Sequence, residues 1–586
     1  MTDQCSVNPE DKACACHSIS NLCGEEEART KIVERKFVKM IAPLLLESDP
    51  VLVSAALGCL YTLSSQGPDT VQHIVSQDIL TPLLSLVTQF SGILSVEDKT
   101  KRTQSERIIE DSFNLARNIL QENEESLDTF TASSMFSHVT PFMTEIVGAR
   151  VRVSSLQLLA TASDHNPRGQ AALSPHLESL ANLAASQETG LGVRTAAALV
   201  LVTASSDRQS LMSEQVNISN EQWQKLLKMN SLQALHLILE CVSSSLDVNT
   251  LDLLSQLDKK DKQKVEALED SIKAQITALE ILTNLSSSDE ECNSEDSDGE
   301  MDDNFINDME EEGNIDIGSD HEIFTNCVTK FNILPKLVDR TSQLATDAKI
   351  VFKESEPGQF LLGLHEQLVI DSYLCLSNIT EMMTVAQLGG GEAVKTVWLQ
   401  LAAKLCAKPE GTDLVDAVSS AVRSLTSQVV KPEAGVSLDN VGTEDLEQLV
   451  SVYTNYNTEE AANIRTNIVN ILGSFGMVAA RNITDPACKL VITKLSSWIL
   501  ETVVSDSCLR VSMEGFDRIF DVFSEDDSDS LFAELNLLTK LKHLQPVLKS
   551  RIKKERKSLQ DEDLAVASTI KLNLQRFVVY KEKRLK

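Results

Sequence analysis

Four residues near the start have types that can hold a metal: Cys14, Cys16, His17 and Cys23. A structural zinc site brings four ligands together tetrahedrally, usually two cysteines two to four residues apart plus a distant second pair. Cys14-x-Cys16 is too tight for that and lies inside an apolar stripe, so these thiols are expected in the core and no metal or other cofactor is expected. The rest of the chain offers no Gly-rich phosphate loop, no Gly-x-Ser-x-Gly elbow, no His-Glu-x-x-His and no Walker-type lysine, and its nine histidines are dispersed. Gly389-Gly390-Gly391 follows a helical pattern where a nucleotide cradle would follow a strand, so it is expected to be a loop or a helix cap. No catalytic residue is assigned, and the chain is not expected to be an enzyme.

Two charged segments could bind a partner instead. Asp289 to Glu322 holds 16 Asp or Glu in 34 residues and no Lys or Arg, too little apolar surface to fold by itself. Its acids include Asp289, Glu290, Glu291, Glu295, Asp296, Asp298, Glu300, Asp302, Asp303, Glu310, Glu311 and Glu312, and Met301, Phe305 and Met309 repeat among them at helical spacing. Such a segment can be a solvated loop, or it can fold onto a basic partner, burying the apolar stripe while its carboxylates meet Lys and Arg. Ser287, Ser288 and Ser297 each have an acid three residues on, as an acidophilic kinase requires. Near the other end Lys549, Arg551, Lys553, Lys554, Arg556 and Lys557 form a block that suits a nuclear-import signal or a solvated helix face.

The elements that must position these segments are helices in a repeat. The chain has 586 residues, 42% hydrophobic and only 4% aromatic, with 22 Gly and 14 Pro: lean in strand and turn formers and too long for one small domain. A small or apolar residue, an apolar one four on, a polar one two further and another apolar one recur throughout. The polar positions are Asn21, Thr62, Asn118, Thr161, Thr203, Glu240, Asn284, Asn378, Ser424, Ser474 and Asp521. All but two of the spacings between them fall between 37 and 50 residues, centred on the period of about 40–47 of armadillo and HEAT repeats. Each match sits on an apolar stripe of period 3.6, as expected for the inner helix of a stacked helical pair. The 94-residue gap from Asn284 to Asn378 contains the acidic insertion. The fold expected is an all-α solenoid of armadillo-like and HEAT-like repeats with a long acidic disordered insertion. Its segments are expected at 1–285 (armadillo-like), 286–323 (insertion) and 324–586 (HEAT-like).

The net charge of −33 repels nucleic acid and anionic lipid unless a basic patch is segregated, and it attracts basic proteins. No apolar run reaches the ~18–20 residues of a membrane span, and the start has neither the basic nor the apolar region of a secretory leader. A monomer without membrane or direct nucleic-acid contact is expected.

The segments Gln275 to Leu285 running into the acidic stretch, Gly515 to Phe523, Leu544 to Lys549, Lys571 to Phe577 and Asp78 to Leu83 match, in order and spacing, the HEAT repeat-containing protein 3 / symportin family, which this chain resembles over nearly its whole length. The resemblance implies a chaperone of the 5S-rRNA-binding ribosomal proteins that supports their nuclear import and 60S assembly. The curved inner surface would hold the N-terminal part of large-subunit ribosomal protein five, and the acidic loop, carried onto Asp289 to Glu322, would hold ribosomal protein eleven. Cytoplasmic and nuclear shuttling, with an import receptor as a further partner, is expected. Family members carry a Lys/Arg-rich, proline-containing segment before the first repeat, whereas Lys12 is the sole basic residue among the first 28 here. A shortened N-terminus, or import through the block at Lys549 to Lys557, is the expectation. The alternatives are a regulatory scaffold for a kinase or phosphatase subunit and an import adaptor of importin-alpha type. The latter uses a regular Trp/Asn ladder, but this chain has only Trp223, Trp398 and Trp498.

Overall fold

A computed structural model describes residues 8–23, 25–92, 98–132, 135–144, 146–204, 232–257, 261–286, 317–436, 443–556, 559 and 561–585. They contain helices and no strand. The chain divides into two compact units, Met1–Leu285 and Ser286–Lys586.

In the first unit the helices that carry the repeat are α1 (Pro9–Leu22), α2 (Pro50–Ser64), α3 (Lys99–Glu122), α4 (Ala149–Ser163), α5 (Leu191–Thr203), α6 (Leu232–Leu246) and α7 (Lys262–Ser286). From α1 to α6 each packs on the next. In the second unit α8 (Glu356–Met382), α9 (Thr412–Val429), α10 (Ala462–Ala480) and α11 (Leu509–Val522) stack in turn, and α12 (Leu537–Glu555) and α13 (Asp561–Arg584) close the series, α13 packing on both α11 and α12. Further helices pack against them, among them Leu177–Ala185 on α5, Gly391–Cys406 on α9 and Pro486–Ser505 on α11.

Asp or Asn just before a proline starts two of these helices. Asp49 caps α2 by accepting from Val51 N at 2.9 Å, with Pro50 in the first turn. After α4, Asn166 accepts from Arg168 N and Gly169 N to start Pro167–Leu173. Side-chain oxygens satisfy orphan N–H groups there, and proline costs nothing where its N–H would be unpaired anyway. A helix that is apolar on every side must be covered on every side: every residue of α5 from Val193 onward is buried.

The polar residues of the repeat lie between consecutive helices. Ser20 meets Thr62 at 2.9 Å, Asn118 donates to Ser64 at 3.0 Å, Ser163 meets Thr203 at 2.9 Å and Ser377 meets Ser424 at 2.6 Å. Small residues let the helices approach, and these hydroxyls and amides find their partners on the neighbour.

Candidate functional site

Of the residues singled out for partner binding, Asp289 to Glu312, including Met301, Phe305 and Met309, lie outside the described residues. Helix Ile317–Lys330 follows, and Phe324, Cys327 and Val328 bury its inner face. In the basic block, Lys549, Lys553, Lys554 and Arg556 are exposed at the end of α12. Arg551 is engaged, with Glu555 at 2.9 Å, Ser512 Oγ at 2.7 Å and the Ser507 carbonyl at 2.6 Å, and Lys557 lies outside the described residues. Cys16 and Cys23 are buried beside Cys59 of α2 and Cys14 is exposed; burial pushes the Cys16 thiol up to about 11. Among the described residues no three His, Cys, Asp or Glu stand where they could share a metal. Gly389 and Gly390 have positive φ and end the turn before helix Gly391–Cys406. Trp398 is buried, donating to Thr426 at 2.9 Å, and Trp498 stacks edge-on against Tyr453. Trp223 lies outside the described residues.

The second unit carries a polar lane across α8 to α11. Glu381 accepts from Arg423 at 2.9 Å and Ser424 at 2.6 Å. Asp416 accepts from Asn463 at 3.4 Å through one oxygen, and its other oxygen has no hydrogen-bond donor. Asn463 accepts from Arg510 at 3.2 Å, and Asn470 donates to Glu514 at 2.9 Å. The Arg518 guanidinium lies 3.0 Å from Glu514, Asp517 and Asp521 alike. Glu381, Asp416, Glu514, Asp517 and Asp521, five carboxylates, therefore share the lane with Arg423, Arg510 and Arg518. Burial raises the Asp416 and Asp521 carboxyls, and neighbouring carboxylates add to the rise, Asp413 at Asp416 and both Asp517 and Glu514 at Asp521. A surface with more carboxylates than cations, some held above their ordinary range, is complementary to a chain bearing Lys and Arg.

The first unit has a comparable face that its own helix covers. Arg150 of α4 reaches Glu269 at 3.2 Å and Asp270 at 3.1 Å on α7, and Gln157 donates to Thr277 at 3.3 Å, so α7 runs in the same direction as α4. Glu110 and Asp111 of α3 are half-buried nearby. Burial raises both, Asp111 to about 6, against the pull of Arg150, Arg107 and Lys273.

Two kinds of buried residue were not singled out from the sequence. Arg152, Arg194 and Arg465 are buried, each nine positions before a polar repeat position (Thr161, Thr203, Ser474). Arg194 donates to the Ala184 carbonyl at 3.0 Å, and Arg465 donates to carbonyls of the preceding turn and forms a fully buried pair with Asp506 at 2.8 Å. Glutamines cap the carbonyls at helix ends: Gln170 at Thr203, Gln275 at Ser245 and Val248, Gln428 at Thr380 and Met383. The offset of nine was the available signal for the arginines; the glutamines have no fixed register.

Known proteins resemble this chain in the same terms. A family described as SYO1-like, TPR repeats matches residues 322–585. HEAT repeat-containing protein 3 of Mus musculus is 25% identical over 98% of this chain and 91% of its own length, and that of Homo sapiens is 24% identical over the same shares. Among solved structures, a designed armadillo repeat protein aligns with 47% of this chain and 97% of itself at 15% identity and a TM-score of 0.32. The relatives span both units, with the SYO1-like match over the unit that carries the polar lane: the chain is similar to HEAT repeat-containing protein 3 over nearly its whole length and to the SYO1-like family over its second unit.

Proposed function

We propose that this chain is a non-enzymatic carrier that holds basic large-subunit ribosomal proteins and supports their nuclear import and assembly into the 60S subunit. The similarity to HEAT repeat-containing protein 3 and to the SYO1-like family supports the coarse part, a chaperone and import role for ribosomal proteins. The finer part is that the clients are the 5S-associated ribosomal proteins five and eleven, the first held on a repeat surface and the second by Asp289 to Glu322. The observation that carries the client chemistry is the polar lane of α8 to α11, five carboxylates against three arginines. A very basic protein loaded there is kept from non-specific contact with RNA. The chain shuttles between cytoplasm and nucleus, the exposed lysines at the end of α12 being offered to an import receptor. No helix among the described residues is long and apolar enough to cross a membrane.

The test is a pull-down from cell extract at low and moderate salt, with the intact chain and one lacking 289–322 side by side, read by mass spectrometry. Both 5S-associated ribosomal proteins should be recovered, one should be lost with the deletion, and recovery should fall with salt because the contacts are charged. A kinase or phosphatase subunit recovered with no ribosomal protein enriched would overturn the reading. Equal recovery of both clients after the deletion would overturn the assignment of the insertion.

A further inference from the structure

The charge of this protein is strongly segregated. From residue 540 to the C-terminus there are 14 Lys or Arg and five Asp or Glu, whereas the preceding residues hold 39 and 81. The fold gathers part of that excess into a groove. The Lys542–Glu582 ion pair at 3.2 Å, together with the packing of α12 on α13, fixes the two helices as antiparallel neighbours. Counting inward from that pair brings Lys553 level with Lys571. At 100° per residue, Lys549, Lys553 and Arg556 project from the flank of α12 that carries Lys542, and Lys571 projects from the flank of α13 that carries Glu582. All four are exposed, and none forms an ion pair with another described residue. Arg551, on the core side of α12, is tied down by Glu555, Ser507 and Ser512.

The surroundings decide what such a groove takes. The exposed apolar residues Val547, Leu572 and Val579 lie on other flanks of the two helices, so the groove offers no anchor for an amphipathic acidic peptide. Exposed Gln575, about 40° round α13 from Lys571, adds an amide donor that suits phosphate oxygens. No exposed aromatic ring stands in the groove for a base to stack on. Acids elsewhere on the chain do not cancel it, because exposed charges are screened beyond about 8 Å at physiological ionic strength.

We propose that the groove between α12 and α13 binds the phosphate backbone of RNA, without reading its sequence, through Lys549, Lys553, Arg556 and Lys571. This supplies the segregated patch that an otherwise acidic chain needs for nucleic-acid contact, and it stands independently of which client the carboxylate lane holds.

The experiment is fluorescence anisotropy of a 5′-labelled 24-nucleotide uridine oligomer titrated with the full chain between 50 and 200 mM KCl. Binding is expected at the low end, weakening with salt at a log–log slope of roughly −2 to −3 for about four neutralised phosphates on a single strand. The triple reversal Lys549→Glu, Lys553→Glu, Lys571→Glu should weaken binding at least tenfold with an unchanged circular dichroism melt. The reversal Lys31→Glu, Lys36→Glu, Lys39→Glu, which changes net charge equally at exposed lysines of the first unit, should change it less than twofold. No binding at 50 mM KCl, equal losses in the two variants, or competition by a glutamate 24-mer as effective as unlabelled RNA would each overturn the proposal.

Discussion

At the scale of single residues, the second unit holds two ionisable groups whose burial sets how it responds to acid and to substitution. His365 in α8 is 3% exposed and neither ring nitrogen has a hydrogen-bond partner. Burial, then the nearby Lys349 and Arg340, lower its pKa from 6.5 to about 4, Lys349 being itself paired with Glu366 at 3.5 Å. The unfolded chain therefore binds this proton more tightly. The contribution to stability is complete above pH 6.5 and is lost as pH falls toward 4, roughly 2 kcal/mol of it between pH 7 and pH 5. Urea unfolding of the second unit at those two pH values should show the loss, and His365→Leu should remove most of it; an unchanged difference in the variant would refute the assignment. Asp111, raised to about 6 in the first unit, acts with the opposite sign, since a carboxyl that holds its proton more tightly when folded favours the fold at low pH. Arg465 and Asp506 are both fully buried, and the aspartate also accepts from Tyr453 and from Cys508 N. Arg465→Met strands that carboxylate and should cost about 3–5 kcal/mol. Adding Asp506→Leu should recover part of the loss in the same unfolding assay; a double variant no more stable than the single would show that the cost lay in lost packing.

At the scale of helices, glycines set how closely the rungs approach. A Cβ on Gly473 of α10 would lie 2.6 Å from Arg518 Cβ on α11, an atom fixed by the backbone that carries it. Gly363 of α8 is exposed, with nothing within 4 Å of such a Cβ. Alanine gains up to about 1 kcal/mol over glycine inside a helix, whereas overpacking costs about 1–3 kcal/mol. The same substitution should therefore have opposite signs: Gly363→Ala raises the thermal midpoint and Gly473→Ala lowers it. A rise in both would mean that α10 and α11 are less tightly packed than the structure has them. This contrast also marks what could be read from the sequence. The repeat was legible because small and polar residues recur at fixed offsets, and Thr62, Asn118, Thr203 and Ser424 do bond to the neighbouring rung. Capping residues before proline were legible for the same reason: their cause is local. Arg152, Arg194 and Arg465 were not, because an arginine in an amphipathic pattern scores as solvent-facing and only a partner far along the chain, such as Asp506, makes its burial tolerable. Nor was the contact of α7 with α4, made by residues about 120 positions apart. The carboxylate lane escaped in the same way, since its members, spread from Glu381 to Asp521, become neighbours only when four helices stack.

At the scale of the whole molecule, the −33 charge sets a tension between stability and binding that the lane makes testable. Asp517 and Asp521 lie beside Arg518, which Glu514 already engages at 3.0 Å, and their mutual repulsion helps to raise Asp521. In the free protein that repulsion is a small cost, left uncancelled because one guanidinium cannot neutralise three carboxylates. A client bringing Lys and Arg removes it and lowers the raised pKa, so binding should release protons and weaken as pH falls through the carboxylate range. Asp517→Asn with Asp521→Asn keeps the Glu514–Arg518 pair and removes the excess. If the lane serves only the fold, losing two contacts to Arg518 should lower the thermal midpoint of the second unit and leave client affinity alone. If it holds a basic client, the midpoint should stay level or rise, while affinity for a purified basic ribosomal protein falls several-fold at about 50 mM salt and converges with the wild-type value as salt screens the remaining attraction. Measuring both quantities on the same variant separates the two roles, because a residue kept for stability and one kept for binding move them in opposite combinations.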